Sequence, residues 1–483
     1  MDNKVKNQYE HKVNLIEKCQ VGPLPSSISS PNVVPLSFFD LPWLCRPTIS
    51  CKRIFYYDFP YPKTQFLEKV LPNLKQSLSL ALKHFFPFSS NIIFPPKPQT
   101  PHILYSEGDT LPFIVAHSTT NLNTLVSHTP KNVKSLDDFV PILPSPHTLE
   151  DGTMLMSPMS IQVTILSNSG FTICCHYSHV VADGKSFHDF LKFWSSLCTL
   201  KEDMHMFSSH EGLLSFPSLS RDEIGDPNEF KSIFLEKLWN MPLNNRIDHM
   251  NMVIPNNMVR QTIVLRHDHV TNLKKLVSMK CQSLGLGTSL HLSSFVLTCS
   301  LIWVSNVKSK LTQVGVEDDE ELYFLILANC MYLSELKIPL TYFGNCLAAA
   351  LVTIKRSKLE GKNGIFEAAI AIGSKVKELK SEPYKGVETL ISITSSNDTT
   401  ELSERVLTIT GSPKFGSYEI DFGWGKPKLN ELLHVNYPGI FSLSPCKDIE
   451  GGVEVGIALE TSQMDKFNII MNELLTNLGD HQD

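Results

Sequence analysis

The sequence predicts an α/β protein with two domains, each built from mixed β-sheets and flanking helices. The chain has 483 residues, of which 42% are hydrophobic, so it can bury a large core but is long for a single domain. Segments with helical and with strand periodicity occur in both halves of the chain. Because these segments do not alternate strictly, mixed sheets are a better prediction than a doubly wound parallel sheet.

The N-terminal half opens with a predicted strand at 13–21. Apolar residues at helical spacing over 66–92 predict a helix that ends in a turn at Pro87. Alternating polar and apolar residues at 160–166, the turn SNSG and an apolar run at 171–177 predict a β-hairpin.

The C-terminal half repeats this mixture. Predicted strands lie at 260–266, 323–330 and 405–410, and predicted helices at 270–279, 293–307 and 364–380. The polar segment between about 201 and 235, which carries Pro, Gly and Ser, indicates a linker, and the runs at 317–321 and 395–404 predict exposed loops. We therefore expect an N-terminal domain over 1–205, a crossover linker over 206–240 and a C-terminal domain over 241–483.

Composition excludes several classes of function. A net charge of −6 provides no basic field for nucleic acid or an anionic membrane. No stretch has the roughly 18–20 consecutive apolar residues of a membrane helix, and the polar N-terminus lacks a signal core. The 11 cysteines show no C-x-x-C spacing, which favours reduced thiols. We expect a cytoplasmic monomer that inserts into no membrane.

The stretch CHYSHVVADGKS at 175–186 places a histidine directly after the second hairpin strand. An amphipathic helix follows, with Asp183 or Ser186 positioned to cap it. A histidine between a strand and a helix N-terminus can face a crevice. The helix dipole would keep His179 neutral and able to act as a general base, while Gly184 would let the backbone bend sharply. A capping turn with an incidental histidine is the alternative.

Two other chemistries fit this stretch less well. His176 and His179 with Asp183 could suggest a metal site, but residues 176 and 179 face opposite sides of a strand, so we expect no metal. Cys175 could pair with His179 as a nucleophile, yet nothing in an apolar strand would stabilise its thiolate.

A second unusual stretch is DFGWG, which comprises Asp421, Phe422, Gly423, Trp424 and Gly425. Its glycines either allow a loop to approach another element closely or form a rigid structural turn around a packed tryptophan. A protein kinase is excluded, because the chain has no Gly-rich nucleotide loop, no V-A-I-K-like strand and no H-R-D loop.

The H-x-x-x-D-G and D-F-G-W-G motifs, with LSFFDLPWL at 36–44, TYFGNCL at 341–347 and GSPKFGS at 411–417, together resemble the plant BAHD acyl-CoA-dependent acyltransferases. YFGNC and G-S-P-K-F are most similar to the branch that acylates anthocyanins and other flavonoid glycosides. The resemblance covers almost the whole chain. It implies two chloramphenicol-acetyltransferase-like domains with the active-site channel at their interface.

The resemblance also implies roles for individual residues. His179 would be the general base, Asp183 a support that turns away from the channel, and Asp421 a motif residue distant from the chemistry. Acyl-CoA would be a co-substrate, with no permanently bound cofactor, and a phenolic glycoside the second small-molecule partner. The positions implied in binding CoA, the acyl group or the developing oxyanion are Ser293, Ser294, Thr410 and Ser412.

Two departures from the family pattern bear on function. Family members commonly carry an arginine before YFGNC that pairs with the motif aspartate, but Met331 and Tyr332 stand in this segment. Malonyltransferases of the branch often have an arginine where this chain has Phe187. An aromatic residue there favours a hydroxycinnamoyl donor over malonyl-CoA, although Lys185 is a possible substitute cation. A non-catalytic relative that only binds CoA esters or phenolics is the remaining alternative.

Overall fold

The structure is a computed structural model. It describes residues 13–45, 50–200, 215–222, 224–241, 254–285, 292–310, 320–331, 336, 338–395 and 405–477. Three features expected from the sequence therefore lie wholly or largely outside the described residues: the first part of the linker, the loop at 395–404 and the loop at 317–321. Tyr332 lies outside them as well.

The described strands, in chain order, are β1 (Val13–Val21), β2 (Asn32–Pro35), β3 (Ser50–Asp58), β4 (Asn91–Phe94), β5 (His102–Tyr105), β6 (Leu111–Ser118), β7 (Lys131–Asn132), β8 (His147–Thr148), β9 (Met154–Met156), β10 (Met159–Leu166), β11 (Gly170–Ser178), β12 (Met258–Leu265), β13 (Glu321–Asn329), β14 (Leu347–Lys355), β15 (Val406–Gly411), β16 (Leu429–Leu432), β17 (Ile440–Pro445) and β18 (Val453–Glu460). The longer helices are α1 (Leu71–His84), α2 (Gly184–Thr199), α3 (Phe230–Asn240), α4 (His267–Ser283), α5 (Ser294–Ser309), α6 (Gly364–Ser381), α7 (Pro383–Ser395) and α8 (Thr461–Asn477).

Within the described residues the strands form three sheets. The first has the order β1-β6-β10-β11-β3-β16, the second β14-β13-β15-β17-β18-β12-β7, and the third β2-β5-β4-β9-β8. Parallel pairs (β10 with β6, β15 with β13 and β17) occur beside antiparallel ones. The prediction of an α/β fold with mixed sheets is confirmed.

Most predicted elements correspond to an observed one. The hairpin is β10–β11, in which Met159 pairs with Tyr177 and Leu166 with Gly170. The helix predicted over 66–92 ends earlier, at His84, because Phe86–Phe88 forms a separate 3-10 turn that contains Pro87. No helix among the described residues is long and apolar enough to cross a bilayer.

Two strands cross the predicted domain division. β16 belongs to the C-terminal part of the chain, yet it pairs with β3 at the edge of the first sheet. β7, from the N-terminal part, pairs with β12 at the edge of the second sheet. The two large sheets are therefore connected by exchanged edge strands, one from each part of the chain.

Helix α2 is bound tightly to the rest of the protein at its first turn. A Cβ atom at Gly184 would lie 2.8 Å from the ring of Phe415, which itself stacks on His188 with ring centroids 4.7 Å apart. Gly184 is not among the glycines with positive φ. The glycine therefore provides room for close packing, not the sharp bend that the sequence suggested.

We predict that Gly184→Ala destabilises the protein by about 1–3 kcal/mol, because overpacking forces Phe415 to move. Chemical denaturation of the purified variant measures the loss. Gly225→Ala is the matched control, since a Cβ atom there would meet nothing within 4 Å. In a Phe415→Ala background the cost should disappear; a cost that persists there would contradict the explanation.

Candidate active site

His179 lies between the end of β11 and the start of α2. Asp183 is the N-cap of α2: its backbone is extended, with φ −79° and ψ 179°, and its Oδ1 accepts a hydrogen bond from the Ser186 amide at 2.9 Å. Of the two capping residues that the sequence offered, the structure uses Asp183. The cap fixes the turn that carries His179.

The YFGNC segment is connected to this turn by hydrogen bonds. The Asp183 amide donates to the Gly344 carbonyl at 3.2 Å, and the Ser186 hydroxyl donates to the same carbonyl at 2.9 Å. Asp183 Oδ2 accepts from the Cys346 amide at 3.2 Å. Burial raises the pKa of the Asp183 carboxyl to about 6, although these amide bonds oppose the increase. The two motifs therefore form one rigid unit.

Asn345 determines which nitrogen of His179 carries the proton. The two hydrogens of its Nδ2 are shared among three acceptors: Asp40 Oδ1 at 3.0 Å, the His179 carbonyl at 2.9 Å and the Val180 carbonyl at 3.2 Å. Its Oδ1 must then face His179 Nδ1, which lies 2.9 Å away, so Nδ1 is the protonated nitrogen. His179 Nε2 is left as an unprotonated base.

Asp40 anchors Asn345 and is itself fully buried. Besides the side chain, Asp40 Oδ1 accepts from the Asn345 backbone amide at 2.9 Å. Asp40 Oδ2 forms an ion pair with Arg221 Nε at 3.2 Å. Arg221 also donates to the Phe343 carbonyl at 2.8 Å. An aspartate from LSFFDLPWL and an arginine from the linker thus hold the YFGNC segment.

Trp43 covers one face of the imidazole. The ring centroids of Trp43 and His179 are 3.6 Å apart and their planes differ by 17°. Burial lowers the pKa of His179 to about 4, while the Asn345 hydrogen bond and the Asp40 charge act in the opposite direction. The sequence predicted a neutral histidine from the helix dipole; here burial is the main cause.

A second histidine lies at the same edge of the first sheet. Leu432 of β16 pairs with Arg53 of β3, and Arg53 pairs with Cys175 of β11. Strands β16 and β11 therefore run in the same direction, and His434 and His179 both follow their carboxyl ends. With about 4.8 Å between neighbouring strands, their backbones lie roughly 10 Å apart across the sheet.

His434 contacts one of the predicted binding residues. Its Nε2 lies 3.2 Å from the hydroxyl of Thr410 on β15, so a residue attached to the first sheet touches the second. Burial is the main cause, and the nearby His179 a smaller one, of a pKa of His434 lowered to about 3. Sequence reasoning missed His434, because no motif surrounds it in NELLHVNYP.

The GSPKFGS segment, which contains the predicted binding residue Ser412, lies beside α2. The Ser412 hydroxyl caps the turn Pro413–Phe415 by accepting from the Lys414 amide at 3.1 Å. On α2, Lys185 is engaged by Asp189 at 2.6 Å and by the Leu340 carbonyl at 2.7 Å. Lys185 is therefore already neutralised by a carboxylate.

Phe187 lies in the core, where its ring stacks on Tyr177 with centroids 4.3 Å apart. It is 1% exposed. Beneath α2, Arg53 is also buried, and it donates to Ser417 at 2.8 Å and to Asn430. Among the described residues, no carboxylate lies within ion-pair distance of Arg53. Position 187, where malonyltransferases of the branch often have an arginine, is thus apolar. The Arg53 guanidinium lies in the neighbouring core.

Ser293 and Ser294 begin helix α5. Ser293 is the N-cap, and its hydroxyl accepts from the Val296 amide at 3.4 Å. Ser294 is the exposed first residue of the helix. Within the described part of the chain, neither serine contacts His179, so the structure does not bring them into the cluster around the base.

The DFGWG segment folds as a structural turn away from His179. Asp421 Oδ1 accepts from the amides of Gly423 at 2.7 Å and Gly425 at 2.9 Å, and both glycines have positive φ, 95° and 97°. Phe422 packs on Trp194 and Trp424 on Phe171. Trp194 is ten residues after Gly184, about 15 Å along α2, so the structure does not bring Asp421 to the base.

His176 and Cys175 are the residues on which the two less favoured chemistries, a metal site and a cysteine nucleophile, depend. His176 contacts the Pro141 carbonyl through Nδ1 at 2.8 Å and the Ser50 hydroxyl through Nε2 at 2.7 Å. Burial raises the pKa of the Cys175 thiol strongly. In the described part of the chain, no group of three histidine, cysteine or acidic residues is placed to hold a metal ion.

The chain is similar to known proteins over nearly its whole length. A model of the Transferase family matches residues 11–474. The chain is 35% identical over 478 residues to coumaroyl-CoA:anthocyanidin 3-O-glucoside-6''-O-coumaroyltransferase 2 of Arabidopsis thaliana, which covers 95% of this chain and 97% of that protein. It is 32% identical over 474 residues to malonyl-coenzyme A:anthocyanin 3-O-glucoside-6''-O-malonyltransferase of Dahlia pinnata, with the same coverage.

The fold is shared with vinorine synthase, whose crystal structure matches with a TM-score of 0.66 at 16% identity and covers 94% of this chain and 96% of that one. The family model spans nearly the whole sequence, and the two relatives exceed 30% identity over an alignment that covers 97% of each. The chain therefore belongs to the Transferase family, the BAHD acyltransferases, and is an enzyme that uses an acyl-CoA thioester as co-substrate.

Proposed function

We propose that this enzyme transfers a hydroxycinnamoyl group, such as coumaroyl or caffeoyl, from CoA to a sugar hydroxyl of an anthocyanin or another flavonoid glycoside. The observation that carries the chemistry is the Asn345–His179 hydrogen bond at 2.9 Å, since it leaves Nε2 free to accept a proton. The substrate class is supported by two coumaroyltransferases of Arabidopsis thaliana that are 35% identical to the chain.

In the proposed reaction His179 Nε2 takes the proton of the sugar hydroxyl while the hydroxyl oxygen attacks the thioester carbonyl. The resulting tetrahedral intermediate carries a negative oxygen. It collapses with cleavage of the carbon–sulfur bond, and the CoA thiolate recovers the proton from the imidazolium. Atoms and charges balance without an acyl-enzyme, so the task of the protein is to hold both substrates against one base.

We place the reaction between the two large sheets, with a domain over 1–205 and a domain over 241–483 contributing opposite walls. Thr410 and Ser412 would line the acyl pocket or donate to the oxyanion. Ser293 and Ser294, at the N-terminus of α5, would contact CoA. Asp183 would act only through the turn that it caps.

The preference for an aromatic donor rests on the absence of a cation at position 187. Phe187 and Tyr177 form an apolar stack there, and Lys185 is paired with Asp189. A malonyl carboxylate near this position would have to be desolvated without a bidentate partner, which is unfavourable. A planar hydroxycinnamoyl group has no such cost.

Malonyl-CoA is the second candidate donor, and Arg53 is the observation that favours it. Its guanidinium is 2% exposed, and its Nε has no hydrogen-bond partner. Burial lowers the pKa of Arg53 to about 10, so it remains charged at neutral pH. A carboxylate that reached this guanidinium would be well matched.

We also propose that the enzyme acts as a monomer in the cytoplasm. All eleven cysteines lie in the described residues, and none of them forms a disulfide. This is typical of proteins from a reducing compartment.

The donor is tested by incubating the enzyme with an anthocyanidin glucoside and either coumaroyl-CoA or malonyl-CoA, and by reading the mass of the product. We expect a coumaroyl ester, and a turnover that falls by about 10²–10⁴-fold in His179→Ala. His176→Ala is the matched control, since this histidine faces away from the site and should leave kcat unchanged. A malonyl ester alone would overturn the donor, and full activity of His179→Ala would overturn the mechanism.

We predict that Asn345→Ala lowers kcat by about 10²-fold, because a neutral imidazole without this acceptor populates the wrong tautomer. KM should change little. Asn306→Ala is the control: Asn306 is buried to a similar degree, 6% exposed, and accepts from Gln463 on α8, so its loss should cost stability alone. Equal effects of the two variants on kcat would mean that Asn345 serves only the fold.

We predict that kcat/KM does not fall near pH 6.5, where an ordinary histidine takes up a proton. A base with a lowered pKa is present above that pKa and is lost as the pH falls through it, so activity should persist to about pH 5 and decline towards pH 4. Circular dichroism at each pH would verify that the enzyme remains folded. An acid limb near pH 6.5 would contradict the assignment of His179 as a buried, neutral base.

A further inference from the structure

His434 is a partly buried titratable residue to which neither the motifs nor the proton transfer assigns a role. It lies in the 3-10 turn Leu433–Asn436 directly after β16, at the sheet edge where His179 also lies. Its Nε2 is 3.2 Å from Thr410 Oγ1, and its Nδ1 is buried without a hydrogen-bond partner.

These contacts determine the protonated nitrogen of His434. A buried N–H without an acceptor costs more than a buried ring nitrogen whose lone pair lacks a donor. The proton therefore belongs on Nε2, where it is donated to Thr410 Oγ1. The ring is neutral, because burial and the surrounding cations oppose a positive charge.

This arrangement fixes the hydroxyl of Thr410. Its oxygen accepts from His434, so the hydroxyl proton must point elsewhere, and it has no other partner among the described residues. Thr410 is on the face of β15 opposite Leu407 and Ile409, which are buried in the core. The hydroxyl is thus a prepared donor beside the edge that carries His179.

We propose that His434 is a positioning residue that turns the Thr410 hydroxyl proton towards the thioester carbonyl, where it donates to the oxygen as negative charge develops. This inference rests on the acyl transfer proposed above and adds a positioned oxyanion donor to the general base. The base lies on the first sheet, the oxyanion donor on the second, and His434 joins the two by one hydrogen bond. No covalent step involves His434, and it neither gains nor loses a proton.

The test compares variants that differ only in the donated hydrogen bond. His434→Leu removes the donor and should lower kcat by about 10-fold or more with little change in KM, since a misaligned oxyanion donor loses part of its 10²–10³-fold effect. His434→Gln retains an N–H near the position of Nε2 and should recover kcat to within about three-fold of the native enzyme.

Thr410 provides the coupled control. Thr410→Ser keeps the hydroxyl and should remain sensitive to His434→Leu, whereas Thr410→Val lacks it, so that adding His434→Leu should change kcat less than two-fold. If His434 served only the fold, His434→Leu and His434→Gln would both lower the melting temperature. The loss of kcat in His434→Leu would also persist in the Thr410→Val background. That outcome, or full activity of His434→Leu, would overturn the inference.

The tautomer of the His434 ring can be measured whatever the acyl donor and the acyl acceptor of the enzyme are. Nitrogen-15 NMR of the whole chain, with His434→Gln for assignment, should show a ring protonated at Nε2. A ring protonated at Nδ1 would overturn the inference even if the native enzyme transferred no acyl group from either donor. Absence of transfer together with an Nε2-protonated ring would instead refute the proposed substrates and, with them, this role of His434.

Discussion

The geometry of the site depends on the interactions of the buried Asp40 carboxylate. One oxygen holds both the backbone and the side chain of Asn345, and the other holds Ser37 and Arg221. Three segments that are far apart in sequence therefore meet at one charge. Removal of one partner from a buried ion pair costs about 3–5 kcal/mol, so this junction stabilises the fold and orients His179, the proposed base, through the same bonds.

The arginine missing near Met331 is compensated by a different arrangement. The family pattern implied an ion pair for Asp183, but in the described residues this carboxylate is satisfied by the amides of Ser186 and Cys346. Backbone amides hold it in place without a second buried charge. The cationic support is provided instead by Arg221, which binds Asp40 and the Phe343 carbonyl. The turn around His179 is thus supported from the YFGNC side.

What the sequence could predict is what depends on neighbouring residues. The hairpin, helix α2 and its cap by Asp183 follow from periodicity and local chemistry over a few dozen residues. Asn345 meets His179 across 166 positions and Asp40 across 305, and such contacts depend on strand register that no local pattern reveals. Gly184 illustrates the limit well, since its necessity comes from Phe415 and not from its own backbone.

The exchange of β16 gives the site its geometry. Because this strand joins the first sheet, His434 arrives beside the carboxyl end of β11, although it comes from the C-terminal part of the chain. The base is held by a hydrogen bond between sequence halves, Asn345 to His179, and the candidate oxyanion donor by another between sheets, His434 to Thr410. A shift of one sheet against the other would disturb both bonds at once. In the proposed mechanism, the substrate hydroxyl and the thioester carbonyl would therefore meet in the space between these two hydrogen-bonded pairs.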